Sequence, residues 1–543
     1  MPIFYLNDKP VEFEKGETIL KAALRAGTEI PHYCYHPGLK ITAQCRMCLV
    51  EITDMGNGRG MPKLQTSCST PAGENMKVSS VSEKAHWGQN LVNEFLLVNH
   101  PLDCPICDQA GECDLQNYAH RYGTGHSEMA YEKRVYGWRN VGSFLMLERN
   151  RCVQCSRCER FSRDIVGTHD FGAFLRTHEL TFDTWGDSEI THKFQGNLAD
   201  ICPVGAITSR DWRFKKRAWK LHKTPTVCTA CSTGCNITLE HHENRVFRVK
   251  PRENQAVNRW WMCDEGRESF PVLNNRRERI LEPQARVKGE LQAASWDAIE
   301  KAVAHRLQEI GANGAQVLGL TDTHATNEEL FVFKQLLSEG FGSDQLYFPY
   351  RPGTQQEKPP RYLADTFVYS LITTDKSPNT AGALKAGLIG DEDDKRLKAA
   401  LKAAPKVVFI LGTPFVNDVA VREAVSQADL IVAIGTLHNP WVELADVVLP
   451  GHTHGEKDGT FLNKAERLQR IRPALDAPEG TRDQVGILAS LLALLGKEPA
   501  PASAEAAFNA MGQQDGPFKG LSWEAVGPQG LPLGGAKPAQ ATA

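Results

Sequence analysis

Beyond Cys263 the 543-residue sequence contains no cysteine; all 15 lie between Cys34 and Cys263. Other absences narrow the classes open to the chain. Neither sign of charge dominates: 62 Lys and Arg face 65 Asp and Glu, a formal net charge of −3. That balance gives neither the basicity of a nucleic-acid binder nor the acidity of a disordered chain. Long apolar runs are missing, and the longest, Val485–Leu495, is too short to span a bilayer. The opening stretch MPIFYLNDKPVEFE lacks the basic-then-apolar layout of a secretory signal and predicts an intracellular chain. No G-x-G-x-x-G of dinucleotide-binding type occurs, so NADH need not touch this chain. With 41% hydrophobic residues and a mean hydropathy of −0.37, the composition is that of a globular protein. The length allows roughly three to five domains.

An odd number of cysteines leaves a disulfide framework one short, and their placement points elsewhere. They divide into Cys34, Cys45, Cys48 and Cys68; Cys104, Cys107 and Cys113; Cys152, Cys155, Cys158 and Cys202; and Cys228, Cys231, Cys235 and Cys263. No cysteine is left over. A single thiol is commonly a small buried hydrophobe, but closely spaced sets in a reducing compartment are metal ligands first.

The spacing selects the metal. Zinc takes two ligand pairs separated by a loop. Cys152-x2-Cys155-x2-Cys158 instead supplies three thiolates from one tight turn, with Cys202-Pro203 arriving from afar, the pattern of a [4Fe–4S] site. The first set, C-x10-C-x2-C-x19-C, has the long loop and pair of a plant-type [2Fe–2S] site, with a longer first interval. Around it, Ile3–Leu6 and Val11–Glu14 flank a turn at Asn7–Pro10, Thr18–Ala26 reads as a helix, and Cys48–Ile52 and Met76–Val78 as strands. This resembles the β-grasp ferredoxin fold. The second set has three cysteines and needs a fourth donor. His100 stands just before it in HPLDCPICDQAGECDLQ, stiffened by Pro101, and its imidazole completes the set. His32 and His36 read as surface histidines in a polar loop.

At these residues a resemblance becomes specific. YCYHPGL, CRMCLVEI, NHPLDCPICDQAGECDLQ, RCVQCSRC and ICPVGA, in that order, resemble the large iron–sulfur subunit family of respiratory NADH:quinone oxidoreductase, complex I. The resemblance implies that the histidine at the position of His100 is a cluster ligand. It also implies a role in conducting electrons from a flavin subunit towards quinone-site subunits. C228-x2-C-x3-C-x27-C263 resembles the [4Fe–4S] module that opens molybdopterin oxidoreductases. Bacterial members of the family keep that module and mitochondrial ones lack it, which implies a bacterial chain. In the family this cluster is thought to lie off the main electron path.

In the cysteine-free half, Ser295 caps a helix carrying Ile299, Val303, Leu307 and Ile310; Gln316–Leu320 reads as a strand. Thr326 and Glu329 form a capping box, and Lys406–Leu411, a helix near Val419–Gln427 and Leu430–Ile434 continue a β–α–β alternation. ADVVLPGHTHGEKDGTF (445–461) resembles a segment shared by molybdopterin oxidoreductases and the large iron–sulfur subunit family. No cysteine ligand for molybdenum lies beyond Cys263, and LGTPFVND makes no recognisable phosphate loop, so no molybdenum or molybdopterin is expected. The aromatic-basic run DWRFKKRAWKLHK (211–223) reads as an interdomain linker or docking surface, and the Pro/Gly-rich tail as largely irregular, pinned by Phe508, Phe518 and Trp523.

The fold expected is multidomain α+β and α/β. A [2Fe–2S] ferredoxin-type domain covers 1–80, a His(Cys)3-ligated [4Fe–4S] domain 81–122 and a second [4Fe–4S] domain 123–220. A third [4Fe–4S] domain, of the molybdenum/tungsten-enzyme type, covers 221–277. A molybdopterin-oxidoreductase-like α/β domain covers 278–497 and a tail 498–543. The expected cofactors are one [2Fe–2S] and three [4Fe–4S] clusters. By resemblance the partners are the NADH/FMN-binding subunit and the quinone-side iron–sulfur subunits, with no nucleic acid. The location is peripheral, on the cytoplasmic side of the bacterial inner membrane. The iron–sulfur arm of a soluble NAD-linked hydrogenase or formate dehydrogenase is the nearest alternative, and a non-redox zinc scaffold the alternative of another class.

Overall fold

The computed structural model describes residues 1–127, 129–186, 188–350, 367–391, 395–498 and 500–533. The chain divides into two compact units, one built on Met1–Leu221 and the other on the chain from His222.

The first unit opens with a five-stranded sheet in the order Lys9–Glu12, Ile3–Leu6, Lys77–Ser79, Leu49–Asp54, Gln65–Thr66, with Ile3–Leu6 and Lys77–Ser79 paired in parallel. Helix Ile19–Arg25, capped by the Thr18 hydroxyl, buries Ile19, Leu20, Ala22 and Ala23 with Phe4, Val50 and Val78 of the sheet. This is the β-grasp arrangement expected from the pattern. The second strand lies at Lys9–Glu12 rather than Val11–Glu14. Asn7 and Asp8 both take left-handed conformations (φ 54° and 64°), so two residues close the hairpin where four were expected. Helices Glu83–Leu97 and Asp114–Tyr122 follow, then a small sheet of Trp138–Asn140, Leu145–Glu148 and Ile207–Ser209.

The second unit opens with an antiparallel sheet of His222–Val227, Asn236–His242 and Arg245–Pro251. Its main body is an eight-stranded sheet whose central part is parallel: Val447–Pro450, Leu430–Gly435, Val407–Leu411, Val317–Thr321, Leu346–Pro349, Ile389–Asp391. Val317–Thr321, Val407–Leu411, Leu430–Gly435 and Val447–Pro450 are buried on both faces, which is why VVFIL and LIVAIG read as unbroken apolar runs. Alternate residues face opposite layers. Val407, Phe409 and Leu411 pack with helices Trp296–Ile310, Asn327–Phe341 and Gln484–Leu494, whereas Val408 and Ile410 pack with Leu397, Val421 and Trp441. The caps follow the sequence: Ser295 and Thr326 accept from Ala298 and Glu329, and Glu329 returns a bond to the Thr326 N–H.

One expectation is refined here. The described part of the tail is irregular over more than half its length but holds two ordered pieces: Ala504–Gln513 is a helix, capped by Ser503 and rich in alanine, and Leu531–Pro532 adds a strand beside Arg467–Ile471. Phe508, Phe518 and Trp523 do anchor it, in an apolar cluster with Leu462 and Leu468. Pro499 and residues 534–543 lie outside the described residues. The apolar run Val485–Leu495 is the core helix Gln484–Leu494, and among the described residues no helix is long and apolar enough to cross a membrane.

Helix Asn327–Phe341 begins with a fully buried carboxylate, Glu328, which accepts the Thr460 N–H (2.8 Å) and hydroxyl (2.6 Å). Burial dominates and raises its pKa from 4.5 to about 7. The folded state therefore holds a proton that the unfolded state releases between those values, so stability falls as pH rises from about 4.5 to about 7. Glu328→Gln is expected to abolish that slope in the thermal midpoint of the C-terminal unit; an unaltered slope contradicts the assignment.

Candidate metal centres

Most cysteines of each set sit on tight backbone turns, with Cys158 in the short helix Arg157–Arg160 and Cys113 and Cys263 at helix starts. In the first set, Ala43 (φ 54°) and Arg46 (φ 59°) wrap the loop around Cys45, and the Cys34 N–H points at the Cys45 sulfur, 3.4 Å away. Cys34 lies in side-chain contact with both Cys45 and Cys68, and Cys48 with Cys68. Two adjoining thiol pairs are the donor set a two-iron cluster requires. The Cys34 thiol is pushed strongly down and those of Cys45 and Cys68 strongly up, as one proton set shared among touching sulfurs demands.

In the third set, Gln154 (φ 54°) and Ser156 (φ 58°) take left-handed conformations between the cysteines, and the Gln154 N–H points at the Cys152 sulfur at 3.3 Å. All four cysteines of the set line one enclosed, largely apolar cavity with Leu147, Phe171, Phe182 and Ile207. Backbone N–H groups two residues downstream approach one sulfur after another: Arg157 to Cys155, Val204 to Cys202, Leu115 to Cys113 and Ala230 to Cys228. Such donors favour anionic sulfur. Burial opposes it and prevails, raising Cys152 and Cys113 to about 12 and Cys202 to about 11. The pockets are thus shaped for thiolates that the interior alone does not ionise, and a coordinated metal would supply the missing positive charge.

For the second set, Cys107 is buried, Cys113 half-buried and Cys104 exposed. His100 sits just past helix Glu83–Leu97, where the Lys133 ammonium ties the carbonyls of Leu97, Val98 and His100 at 2.8–3.0 Å. Burial and the nearby Lys133 and Arg151 charges lower the His100 pKa to about 4, which leaves a neutral imidazole able to donate its lone pair. His100 and Cys107 both lie in the field of Arg151. The 211–223 run is more than a linker. Arg217 donates to the carbonyls of Cys107 (2.8 Å) and Pro105, the Phe214 N–H meets Asp108 at 2.7 Å, and Gly111 (φ 87°) leaves room for the Trp219 ring. The run clasps the cysteine loop. His32 and His36 are not surface residues either: His32 packs edge-on to Tyr35 with its Nδ1 on the Ile30 carbonyl, and the His36 Nδ1 accepts from Gly38. Both are half-buried.

The fourth set sits on the hairpin loop between His222–Val227 and Asn236–His242, with Cys263 at the start of helix Asp264–Arg267. A Cβ on Gly266 would fall 2.8 Å from the Cys228 sulfur, so glycine there keeps the cradle open. The cysteine-free half supplies its outer layer. Asn463 and Gln469 donate to the carbonyls of Thr233 and Gly234, the Ser232 N–H donates to the Asp375 carbonyl, and half-buried Lys464 lies in the field of Cys231 and Cys235. Burial lifts Cys263 from 9.0 to about 11, about 3 kcal/mol against its thiolate.

Three of the sets meet. One apolar cluster contains Cys34 and Cys155, with Cys45, Cys113, Cys152 and Cys202 packed against it around Tyr33, Leu115, Tyr118 and Val153. Two buried arginines join the first set to the third. Arg160 donates to the carbonyls of Cys34 (2.5 Å), Lys40 (2.6 Å) and Cys155 (3.3 Å), and Arg157 to those of Tyr35 (2.6 Å) and Ile201 (3.0 Å). The third set meets the second where the Asp114 N–H donates to the Pro203 carbonyl (3.0 Å) and where Gly205 lies against Cys107. Sequence reasoning misses these arginines, although they alternate with the cysteines in RCVQCSRCER.

The parallel sheet forms a crevice of about 360 Å³ outside its carboxyl ends, where Val317–Thr321 and Val407–Leu411 adjoin. Its lining has no thiol, and its Asp322 carboxylate is occupied by the Thr413 N–H (2.6 Å), the Thr413 hydroxyl (3.2 Å) and the His324 N–H (2.9 Å).

Known proteins match in the same order. Residues 3–83 match a 2Fe-2S iron-sulfur cluster binding domain, 89–128 the NADH-ubiquinone oxidoreductase-G iron-sulfur binding region, and 142–208 the ferredoxin-like domain of NADH-quinone oxidoreductase subunit 3. Residues 221–275 match the molybdopterin oxidoreductase Fe4S4 domain and 365–494 molybdopterin oxidoreductase. An NADH-quinone oxidoreductase subunit of Rickettsia bellii is 36% identical over 374 residues, 68% of this chain and 53% of the relative. The mitochondrial NADH-ubiquinone oxidoreductase 78 kDa subunit of Neurospora crassa is 37% identical over 343 residues, 63% of this chain and 45% of the relative. The matches thus span about half the length of these relatives. A chain of an NAD+-reducing [NiFe]-hydrogenase is similar at 29% identity over 40% of this chain and 90% of that one, with a TM-score of 0.35.

Truncating Arg160 leaves buried carbonyls on both cysteine loops without a donor, at about 1–3 kcal/mol each. Arg160→Ala is expected to abolish or sharply weaken the [2Fe–2S] signal in electron paramagnetic resonance (EPR), while the fourth set keeps its iron. An unchanged [2Fe–2S] signal contradicts the role given to Arg160.

Proposed function

Because the chain is a homologue of the large iron–sulfur subunit of NADH:quinone oxidoreductase, we propose that it conducts electrons, one at a time, through four iron–sulfur clusters. Cys34, Cys45, Cys48 and Cys68 hold the [2Fe–2S] cluster. His100, Cys104, Cys107 and Cys113 hold the first [4Fe–4S] cluster, Cys152, Cys155, Cys158 and Cys202 the second, and Cys228, Cys231, Cys235 and Cys263 the third. The modules run 1–80, 81–122, 123–220 and 221–277, followed by a scaffold at 278–497 and the tail 498–543.

The observation that carries this reading is the apolar cluster in which cysteines of the first three sets meet. It supports a route from the Cys34 set to the Cys152 set and on to the His100 set, which differs from the order along the chain. When bound, the clusters supply the redox chemistry. The protein holds them, shields them from water and sets their potentials through charge and hydrogen bonds. Electrons enter from an NADH/FMN-binding subunit and leave to quinone-side iron–sulfur subunits. The chain sits peripherally, on the cytoplasmic side of a bacterial inner membrane, as part of that assembly, and binds no nucleic acid. The 278–497 region keeps an oxidoreductase fold as a support for the Cys228 set and holds no molybdenum.

Purified anaerobically, the chain is expected to be brown, to bleach with dithionite and to carry about 14 iron atoms and no stoichiometric molybdenum. A colourless, zinc-loaded protein overturns the reading. His100→Cys adds a negative charge to its cluster and is expected to lower that midpoint alone in a stepwise EPR titration. If every spectrum and midpoint stays as in the parent, His100 is not a ligand.

A further inference from the structure

Arg151 is not a ligand in this scheme, yet it lies between two of the ligand sets. It is 4% exposed and immediately precedes Cys152. Its Nε and Nη2 hold the Asp103 carboxylate at 3.0 and 2.9 Å, and Asp103 immediately precedes Cys104. A Cβ placed on Gly205 would lie 2.2 Å from the Cys107 sulfur and 3.7 Å from the Arg151 Cδ, so Cys107 and the Arg151 side chain flank the same backbone point. The other cations near this set are placed differently. Lys133 is half-buried and committed to three backbone carbonyls, and half-buried Arg217 meets the outer carbonyls of Pro105 and Cys107.

We propose that the Arg151–Asp103 pair is an electrostatic positioning device that sets the potential of the cluster held by His100, Cys104, Cys107 and Cys113. This rests on the electron-transfer reading above. Reduction adds one electron to a cluster, and a fixed guanidinium in a low-dielectric surrounding stabilises the more negative, reduced form. Asp103 acts with the opposite sign. Because Asp103 is 31% exposed and Arg151 nearly enclosed, solvent screens the carboxylate more and leaves a net positive influence on the cluster. Burial suits the guanidinium to this, since water screens it little. The same contact fixes the Cys104 loop against the turn that begins the Cys152 set, so the pair tunes one cluster while holding its neighbour in place.

The test is a potentiometric EPR titration of the full chain and of Arg151→Met, Arg151→Lys and Asp103→Asn, with iron content measured on each sample. Arg151→Met is expected to lower the midpoint of the His100-set cluster, by about a tenfold fall in the reduced-to-oxidised ratio at a fixed potential, equivalent to about 59 mV for one electron. Asp103→Asn is expected to raise that midpoint, and Arg151→Lys to stay near the parent. The [2Fe–2S] midpoint is expected to move in none of them. A merely structural role would shift both neutralising variants the same way or leave both at the parental value, and either result overturns the proposal. If Arg151→Met fails to assemble the cluster, Asp103→Asn decides alone: a raised midpoint supports the pair and an unchanged one refutes it. A parent chain without iron at this set sinks the electron-transfer reading itself, whereas a full complement of iron with unmoved midpoints sinks only the Arg151 assignment.

Discussion

An apolar interior opposes the ionisation of the thiols that it gathers, and the architecture follows from that conflict. Burial raises Cys113, Cys152, Cys202 and Cys263 far enough that they are neutral thiols by themselves. Yet backbone N–H groups are aimed at sulfur after sulfur, which makes sense only for anionic ligands. Bound iron would resolve the conflict by supplying the charge, which would couple assembly of these regions to metal binding. The low dielectric that makes the thiols reluctant acids also gives each nearby fixed charge leverage over a cluster's potential.

The same constraint explains the arginines. Loops carrying several ligands leave backbone carbonyls turned away from any helix or sheet, and a buried carbonyl without a donor is costly. Arg157 and Arg160 answer several of these at once and bind the Cys34 loop to the Cys152 turn. Close approach then follows from chain geometry, with Gly205 letting one ligand loop touch the sulfur of another set. In the second unit the equivalent work falls to Asn463, Lys464 and Gln469, so the cysteine-free domain has a structural reason to be there. Its sheet has the crevice of a ligand-binding fold, but Asp322 is turned to satisfying Thr413 and His324.

Much of this was legible in the sequence. Helix starts at Ser295 and Thr326 followed from a capping residue and a capping box, and the buried strands from apolar runs, because both signals act over a few residues. The partition of the cysteines was readable because each set is mostly local in the chain. What escaped was long-range. The meeting of the Cys34 and Cys152 sets spans more than a hundred residues and rests on arginines whose partners are carbonyls, which leave no mark in a side-chain pattern. The basic run at 211–223 was ambiguous for the same reason, since Arg217 serves the Cys107 loop across a long stretch of chain. The tail helix was obscured by the prolines and glycines on either side of its alanine-rich core.

The central claim is that the Cys152 set stands between the other two sets of the first unit and passes electrons between them. Spin–spin coupling in the stepwise-reduced chain tests this directly. The account predicts that the Cys152-set cluster couples more strongly to both the [2Fe–2S] cluster and the His100-set cluster than those two couple to each other. Strong direct coupling of the [2Fe–2S] cluster to the His100-set cluster, with the Cys152 set coupled weakly to either one, would contradict it.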